Sequence, residues 1–599
     1  MIWPLAAEEV RKAPAVQSGS YAQPRLCSAL SYAIVCGGMA TIAVAVYTMV
    51  VSYSSLPWWD TWEYLSAIAH GTNPLSPDWL WRQHNEHRLV LQKLFFAIDL
   101  EVFRGRQIFL LSSIIVIQLL HVALWAWILR VLGGWRGALW LTGAGMMAFV
   151  IFCPAPWLNY TMGFQVCYVL SPLFATLSFA ALLRYWRDGQ SASKWLWLAI
   201  AAALGANYSL SNGNLVWLLL VTGALVLRLR RSAVLAIAVT GALSISLYFY
   251  HYVRPPQHAD PIASLHEPLR LLTFWAAYFG SSWVGASVAI AAAIGAVGLT
   301  AAIVVVCRTR YYVRELRPIA LLLAMACLFF MGTAINTAAG RLNFGLAMAF
   351  QNRYQTFALL FWGCLGLMVL DYIFATGTRP YPLFVAQVFL LAIFLRGGLL
   401  AERPIREARA HGFGLNVASA AFQSGIYEPS LLAQVSEHSD KLLSGLEYLR
   451  EHRLSLFSGE ESSLLGSPLE KSFKVAAAGS CAGRLEFSIP RDFVAPGLYV
   501  AGWAWDRKHQ RAPQEIVATI DDVITGVAVM GHRSGSAETA DAEVTSHYAG
   551  FAGYARQPQP TAVLKVYAIL QGSPPTACYL DGTDSGHATS ELDRELVVK

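Results

Sequence analysis

Between residues 29 and 398 the chain is dominated by long apolar runs, with much of the positive charge in the short connections between them. That pattern rules out a water-soluble fold over this stretch. A bilayer core about 30 Å thick needs about 20 apolar residues to cross it as a helix. In lipid a spanning segment must also satisfy its own backbone, which a helix does. Candidate spans are 30–52, 108–130, 137–155, 166–183, 195–210, 213–228, 233–251, 284–306, 318–338, 355–376 and 381–397, about eleven in all. The runs 195–210 and 213–228 are short and read as half-spans, and 268–283 reads as an interfacial helix. Charged residues are only 14% of the 599, against about 25% in a soluble protein.

Residues 1–28 are mostly polar and carry Arg11, Lys12 and Arg25. The first apolar run, Ala29 to Val51, is too long for a signal-peptide core and reads as a retained helix. The basic residues mark one side of the membrane. Arg130 and Arg136, Arg184, Arg187 and Lys194, Arg228, Arg230 and Arg231, Arg308, Arg310, Arg314 and Arg317, and Arg379 all fall in alternate connections. The positive-inside rule makes that side cytoplasmic, with the N-terminus. The loop 53–107, the turn 155–165, the stretches 252–283 and 339–354, and the tail after about 398 are then outside. Membrane orientation accounts for the net charge of +7, and no nucleic-acid partner is expected.

The tail reads as an ordinary soluble chain. Residues 399–480 form a helical segment followed by a Ser/Gly-rich linker at 458–480. Residues 481–585 alternate as strands do, in GLYVAGWAWD, EIVATID, VITGVAVMG and AVLKVYAIL, and are expected to form a small β-sandwich. Residues 586–599 read as a flexible tail. Cys481 and Cys578 lie near the two ends of the strand region, and a disulfide between them suits an oxidising compartment. Trp503 and Trp505 share one strand face and are expected in the core.

Three outer stretches carry the chemistry. The first loop holds Asp60 and Glu63 just after the first span, then Glu86 within the run His84, Asn85, Glu86, His87, Arg88. A carboxylate there can take a proton from a hydroxyl or hold a divalent cation such as Mg or Mn. Idle acids beside a span, and Trp58, Trp59 and Trp62 as an interfacial aromatic belt, are the plain alternative. The second stretch places Arg341, Arg353 and Tyr354 outside, against the charge trend, where a guanidinium can hold a phosphate. The third has Asn159, Gln165 and Asn212 at span ends, suited to sugar hydroxyls or, for the Asn212–Gly213 pair, to helix capping.

These motifs resemble the GT-C superfamily of membrane glycosyltransferases, which carry an acidic motif in the first outer loop. Asp60-Thr-Trp-Glu63 matches that motif, and the HNEHR run and the late Arg353-Tyr354 resemble a group of bacterial multi-span proteins. The resemblance covers roughly residues 30–400. It implies an α-helical GT-C-like transmembrane domain over 29–398 in a bacterial inner membrane, with the tail as a periplasmic domain. It also implies an inverting enzyme that uses a polyprenyl-phosphate sugar and a glycan acceptor, with no required cofactor. Asp60 becomes the base. The two first-loop acids are three residues apart, so Glu86 is an alternative second carboxylate. The donor phosphate falls to Arg353, Arg88, Arg341 and Tyr354, the sugar and acceptor to His84, Asn85, His87, Asn159, Gln165 and Asn212, and an optional metal to Asp60 and Glu63. A glycolipid flippase or transporter, an envelope glycan polymerase or ligase, and a non-catalytic assembly scaffold remain as alternatives.

Overall fold

A computed structural model describes residues 25–582, apart from 257–259, 286, 313–316, 377–380, 460, 478, 493–495 and 558–562. Arg11, Lys12, Arg314, Arg379 and the tail 586–599 therefore lie outside the described residues. The chain divides into two compact units. One comprises residues up to Met49 with Leu80–Lys93 and Leu111–Ile405, and the other Val50–Trp79, Leu94–Leu110 and Arg406–Lys599. The expected first loop, 53–107, is thus not a single appendage of the helical domain. Its middle belongs with the helices and its flanks belong with the tail.

Eight described helices are long and apolar enough to cross a membrane, including Arg25–Val51, Ile108–Val131, Gly163–Arg187, Arg231–Phe249, Pro318–Phe344 and Asn352–Ala375. Three of the eleven expected spans are shorter: Gly137–Ile151, Ser193–Asn207 and Asn214–Val226. The last two form a hairpin. At 1.5 Å per residue its arms are about 22 and about 20 Å long, well under the roughly 30 Å of a bilayer core. Residues Pro268–Gly280 form a 13-residue helix, exposing Leu269 and Leu272 and burying Phe274 and Ala277. It packs backbone to backbone on the helix Val288–Tyr312. A Cβ on Gly280 would come 1.9 Å from the Ala291 carbonyl oxygen, and one on Gly295 1.8 Å from that of Ala276.

The basic connections gather at one end of the helical unit. Arg187 donates to the Val131 carbonyl, and the Arg230 N–H donates to Gln190 Oε1 at 2.7 Å. Arg317 reaches the Gly133 carbonyl at 3.5 Å and pairs with Asp371 at 3.0 Å. The turns between the other helix ends meet one another at the opposite end, described below.

In the second unit the strands form one ring. They are β1 (Lys474–Val475), β2 (Cys481–Asp492), β3 (Pro496–Asp506), β4 (Glu515–Ile520), β5 (Val523–His532), β6 (Gly550–Arg556), β7 (Leu564–Leu570) and β8 (Thr576–Gly582). The order β8-β2-β3-β6-β5-β4-β7 closes through the β7–β8 pairing, with β1 alongside β8. The expected sandwich is therefore a closed seven-strand barrel. Closure leaves no open edge among these seven strands. The β2–β8 seam is parallel, with only Arg484↔Asp581 and Leu485↔Gly582 as partners. The expected disulfide, Cys481–Cys578, joins these same two strands at a Cα separation of 6.3 Å. Val500, Ile516, Phe551 and Val566 fill the interior. Trp503 and Trp505 pack with Ala537, Val544 and Ala549, as core residues do.

The region 458–480 is more ordered than a linker. Leu469 and Phe473 bury themselves against Val517, Ile524 and Val527 of the barrel wall, with Ala420 from the helix Glu402–Gln423. The Tyr554 hydroxyl of β6 donates to Glu428 at 2.8 Å, fastening barrel to helices again.

Asp99 caps the start of the helix Ile108–Val131 from outside. Its carboxylate accepts the backbone N–H groups of Gln107 at 2.9 Å and Phe109 at 3.2 Å. Burial pushes its pKa up to about 6, although these N–H groups pull the other way. A folded pKa raised above the unfolded value means that folding favours the protonated acid, so its stabilising effect is full below about pH 4 and is lost as pH rises through about 6. Thermal unfolding of Asp99→Asn in detergent should therefore show a smaller fall in midpoint between pH 4.5 and pH 7 than wild type. Equal slopes would contradict this.

Candidate functional site

The run HNEH is a tight turn. The backbones of His84 and His87 exchange two hydrogen bonds of 2.8 Å, and Asn85 takes the left-handed φ of 47° that Asn tolerates better than most residues. The turn aims Glu86 sideways. Its Oε1 lies 2.6 Å from Nη2 of Arg341 and 3.4 Å from Nε2 of His87. The Ser211 N–H donates to Nδ1 of His87 at 3.3 Å. That bond assigns the neutral ring's proton to Nε2, facing Glu86. The Ser211 turn joins the two short helices, so the hairpin end and the first loop meet here. The backbone confirms it, since the Leu91 N–H donates to the Tyr208 carbonyl at 3.2 Å. The ring of His84 sits 5.4 Å from that of Phe164, in the 155–165 turn. Arg341 ends the helix Pro318–Arg341, where a cation suits the helix dipole.

Arg88, expected at the donor phosphate, is buried and committed elsewhere. Its guanidinium donates to the carbonyls of Tyr248, Tyr250 and, at 2.7 Å, Trp81. It thereby serves the carbonyls that a helix C-terminus leaves open, at the end of Arg231–Phe249. The Tyr248 hydroxyl returns a bond of 3.1 Å to the Glu86 carbonyl, so this helix end clamps the turn.

The 155–165 turn and the Asn352-Arg353-Tyr354 stretch lock together through two asparagines. Asn352 accepts the Leu158 N–H at 2.9 Å and donates to the Ala155 carbonyl at 2.7 Å. Asn159 donates to the Arg353 carbonyl at 3.1 Å and to Thr356 Oγ1 at 2.7 Å. The sequence reading missed Asn352, although its position directly before Arg353-Tyr354 was a usable signal. Tyr354 stacks on Tyr278 at 5.6 Å, and the Arg353 guanidinium lies 5.5 Å from the Tyr354 ring. Tyr168 is within electrostatic reach of both Arg341 and Arg353, which places the two cations in one neighbourhood.

Asn159 Oδ1 and Gln165 Oε1 are buried acceptors with no hydrogen bond among the described residues. An orphaned buried acceptor costs roughly 1–3 kcal/mol, so a donor from outside the chain is favoured there. Asn212 differs. It accepts from Ser171 at 2.8 Å and donates to Thr333 at 3.1 Å, joining three helices instead of capping one. Its neighbour is glycine because a Cβ on Gly213 would lie 2.1 Å from the Ala206 carbonyl oxygen.

Asp60 and Glu63 belong to the other unit. Asp60 is half-buried at the N-cap of the helix Thr61–Ala69 without capping it by its side chain, and Glu63 is exposed, 4.0 Å from Lys441. The helix is held by the tail. Trp62 is fully buried, 3.0 Å from where a Cβ on Gly445 would sit. The Trp58 indole donates to the Gln434 carbonyl and the Trp59 N–H to that of Val435, each at 2.9 Å. Trp62 thus packs against the tail, while Trp58 and Trp59 are half-buried. No group of three or more His, Cys, Asp or Glu is placed to hold a metal among the described residues.

Comparisons with protein-family models, with curated proteins and with solved structures find no match. The Glu86–Arg341 pair should be measurable by a double-mutant cycle on thermal unfolding with Glu86→Gln and Arg341→Gln. Coupling of about 1–3 kcal/mol is expected for charges in direct, half-buried contact. Strict additivity would mean that the pair holds nothing together.

Proposed function

We propose that the chain is an inverting membrane glycosyltransferase that takes a sugar from a polyprenyl-phosphate donor and passes it to a glycan or glycolipid acceptor of the cell envelope. The observation that carries this reading is the Glu86–His87–Arg341 cluster, whose Arg341 shares with Arg353 an electrostatic reach to Tyr168, at the end of the helical unit opposite the basic connections. By the positive-inside rule that end faces away from the cytoplasm, in a bacterial inner membrane. The disulfide in the barrel is in keeping with an oxidising compartment for the tail.

In this reading the donor phosphate lies against Arg341 and Arg353. Glu86, itself held by His87, orients the Arg341 guanidinium. Glu86 is committed to Arg341 and His87, and the superfamily resemblance assigns proton removal to Asp60, in the other compact unit. The acceptor oxygen attacks the anomeric carbon and gives its proton to the general base, the role that the superfamily resemblance assigns to Asp60. The bond from that carbon to the phosphate oxygen breaks, and polyprenyl phosphate leaves with the charge. Inversion follows from attack opposite the leaving group. Fixed guanidinium groups stabilise the developing phosphate charge without reorganising. Asn159 Oδ1 and Gln165 Oε1 accept hydroxyls of the transferred sugar. Arginine supplies the positive charge, so a divalent ion is not required.

The test is transfer in proteoliposomes from radiolabelled polyprenyl-phosphate sugars to a cell-envelope acceptor. Wild type should transfer. Asp60→Asn and Arg341→Gln should each lose on the order of 100-fold or more while remaining folded. A folded Asp60→Asn protein with full activity would remove Asp60 as base. No transfer from any donor by folded wild type would favour a glycolipid transporter.

A further inference from the structure

On the far side of the HNEHR turn, the helical unit has an open cavity of about 590 Å³. Its wall combines Trp81, Arg82 and Gln83 from the first loop with Tyr250, His251 and Arg254 from the segment after the helix Arg231–Phe249. The two halves are stitched together, since the Val253 N–H donates to Gln83 Oε1 at 3.0 Å and the Gln83 amide donates back to the Val253 carbonyl. The rim is therefore built and is not a chance gap between loops. No lining residue is a carboxylate. Arg254 shares one edge with Asp260 at 2.8 Å, just outside the lining. The exposed side chain of Arg82 makes no hydrogen bond, ion pair or ring contact among the described residues, while its carbonyl accepts from Lys93. The glutamate cluster does not use these cations, and Arg88, which also touches the cavity, is spent on carbonyls.

We infer that this cavity is an acceptor subsite for a negatively charged saccharide, with Arg82 and Arg254 holding its carboxylate and Trp81 and Tyr250 flanking the sugar ring. Guanidinium groups pair carboxylates with directed hydrogen bonds. The volume falls within the usual range for small-molecule sites, about 300–1,000 Å³, far more than one phosphate fills. The inference rests on the transferase reading for the identity of the ligand as an acceptor. Its test measures binding without turnover, so the two can fail separately.

The probes are cellobiouronic acid and cellobiose, which differ by one carboxylate in place of a hydroxymethyl group. Binding to the full chain is followed by calorimetry and saturation-transfer NMR in a neutral detergent. The expected result is that cellobiouronic acid binds at least about tenfold more tightly than cellobiose, and that Arg82→Gln and Arg254→Gln each remove most of this preference, as loss of a charge-assisted bond would. Equal binding of the two disaccharides, or a preference that survives both substitutions in folded protein, overturns the proposal. So does displacement of the acid by phosphatidylglycerol with no preference for the sugar, which would make the cavity a lipid headgroup site.

Discussion

The ion pair between Glu86 and Arg341 joins residues 255 apart in sequence and organises the chemistry-bearing end of the helical unit. A carboxylate in partly dry surroundings needs a cation, and a lone arginine beside apolar helices needs a counter-charge. Each supplies the other's need. The consequence is geometric. The first loop reaches the end of the helix Pro318–Arg341 beside the turn of the short hairpin Ser193–Asn207 and Asn214–Val226, where the Leu91 N–H donates to the Tyr208 carbonyl. His87 completes the fit by bridging Glu86 to the hairpin turn at Ser211. Asn352 and Asn159 do the same work on the neighbouring side without charge, trading backbone bonds between two turns.

Much of this was legible in the sequence, for physical reasons. Apolar length reports a span directly, and period-two alternation reports a strand, so the helical region and the strand region were both readable. The short runs 195–210 and 213–228 stood out because their length falls below a bilayer's thickness. Barrel closure did not, because alternation records which face is buried and says nothing of whether β8 returns to β2. The HNEHR run was legible as a unit, yet its two sides were not distinguishable. Whether Arg88 or Arg341 faces the acid depends on which one lies beside the open carbonyls of a helix end, a long-range fact. The split of the first loop was also hidden. A tryptophan reads alike in a membrane belt and in a protein interface, and for Trp62 it is Gly445, nearly 400 residues on, that shows the packing.

The second unit gives the tail a structural reason to exist. The helix bearing Asp60 and Glu63 is short, and nine residues cannot hold a fixed position by propensity alone. Trp62 against Gly445, with the two backbone acceptors at Gln434 and Val435, supplies the packing that fixes it. Those helices are fastened in turn to the barrel through Glu428 and Tyr554. The barrel is therefore part of what orders the acidic helix, whatever else it binds.

The central claim is that the arginines beside Glu86 hold a lipid phosphate. The most direct measurement is the affinity of the purified protein for polyprenyl phosphate without sugar, by native mass spectrometry, in wild type and Arg341→Gln. The account predicts that the substitution weakens binding by about tenfold or more, as removing a charge-assisted contact does. Unchanged affinity in a folded variant would contradict it.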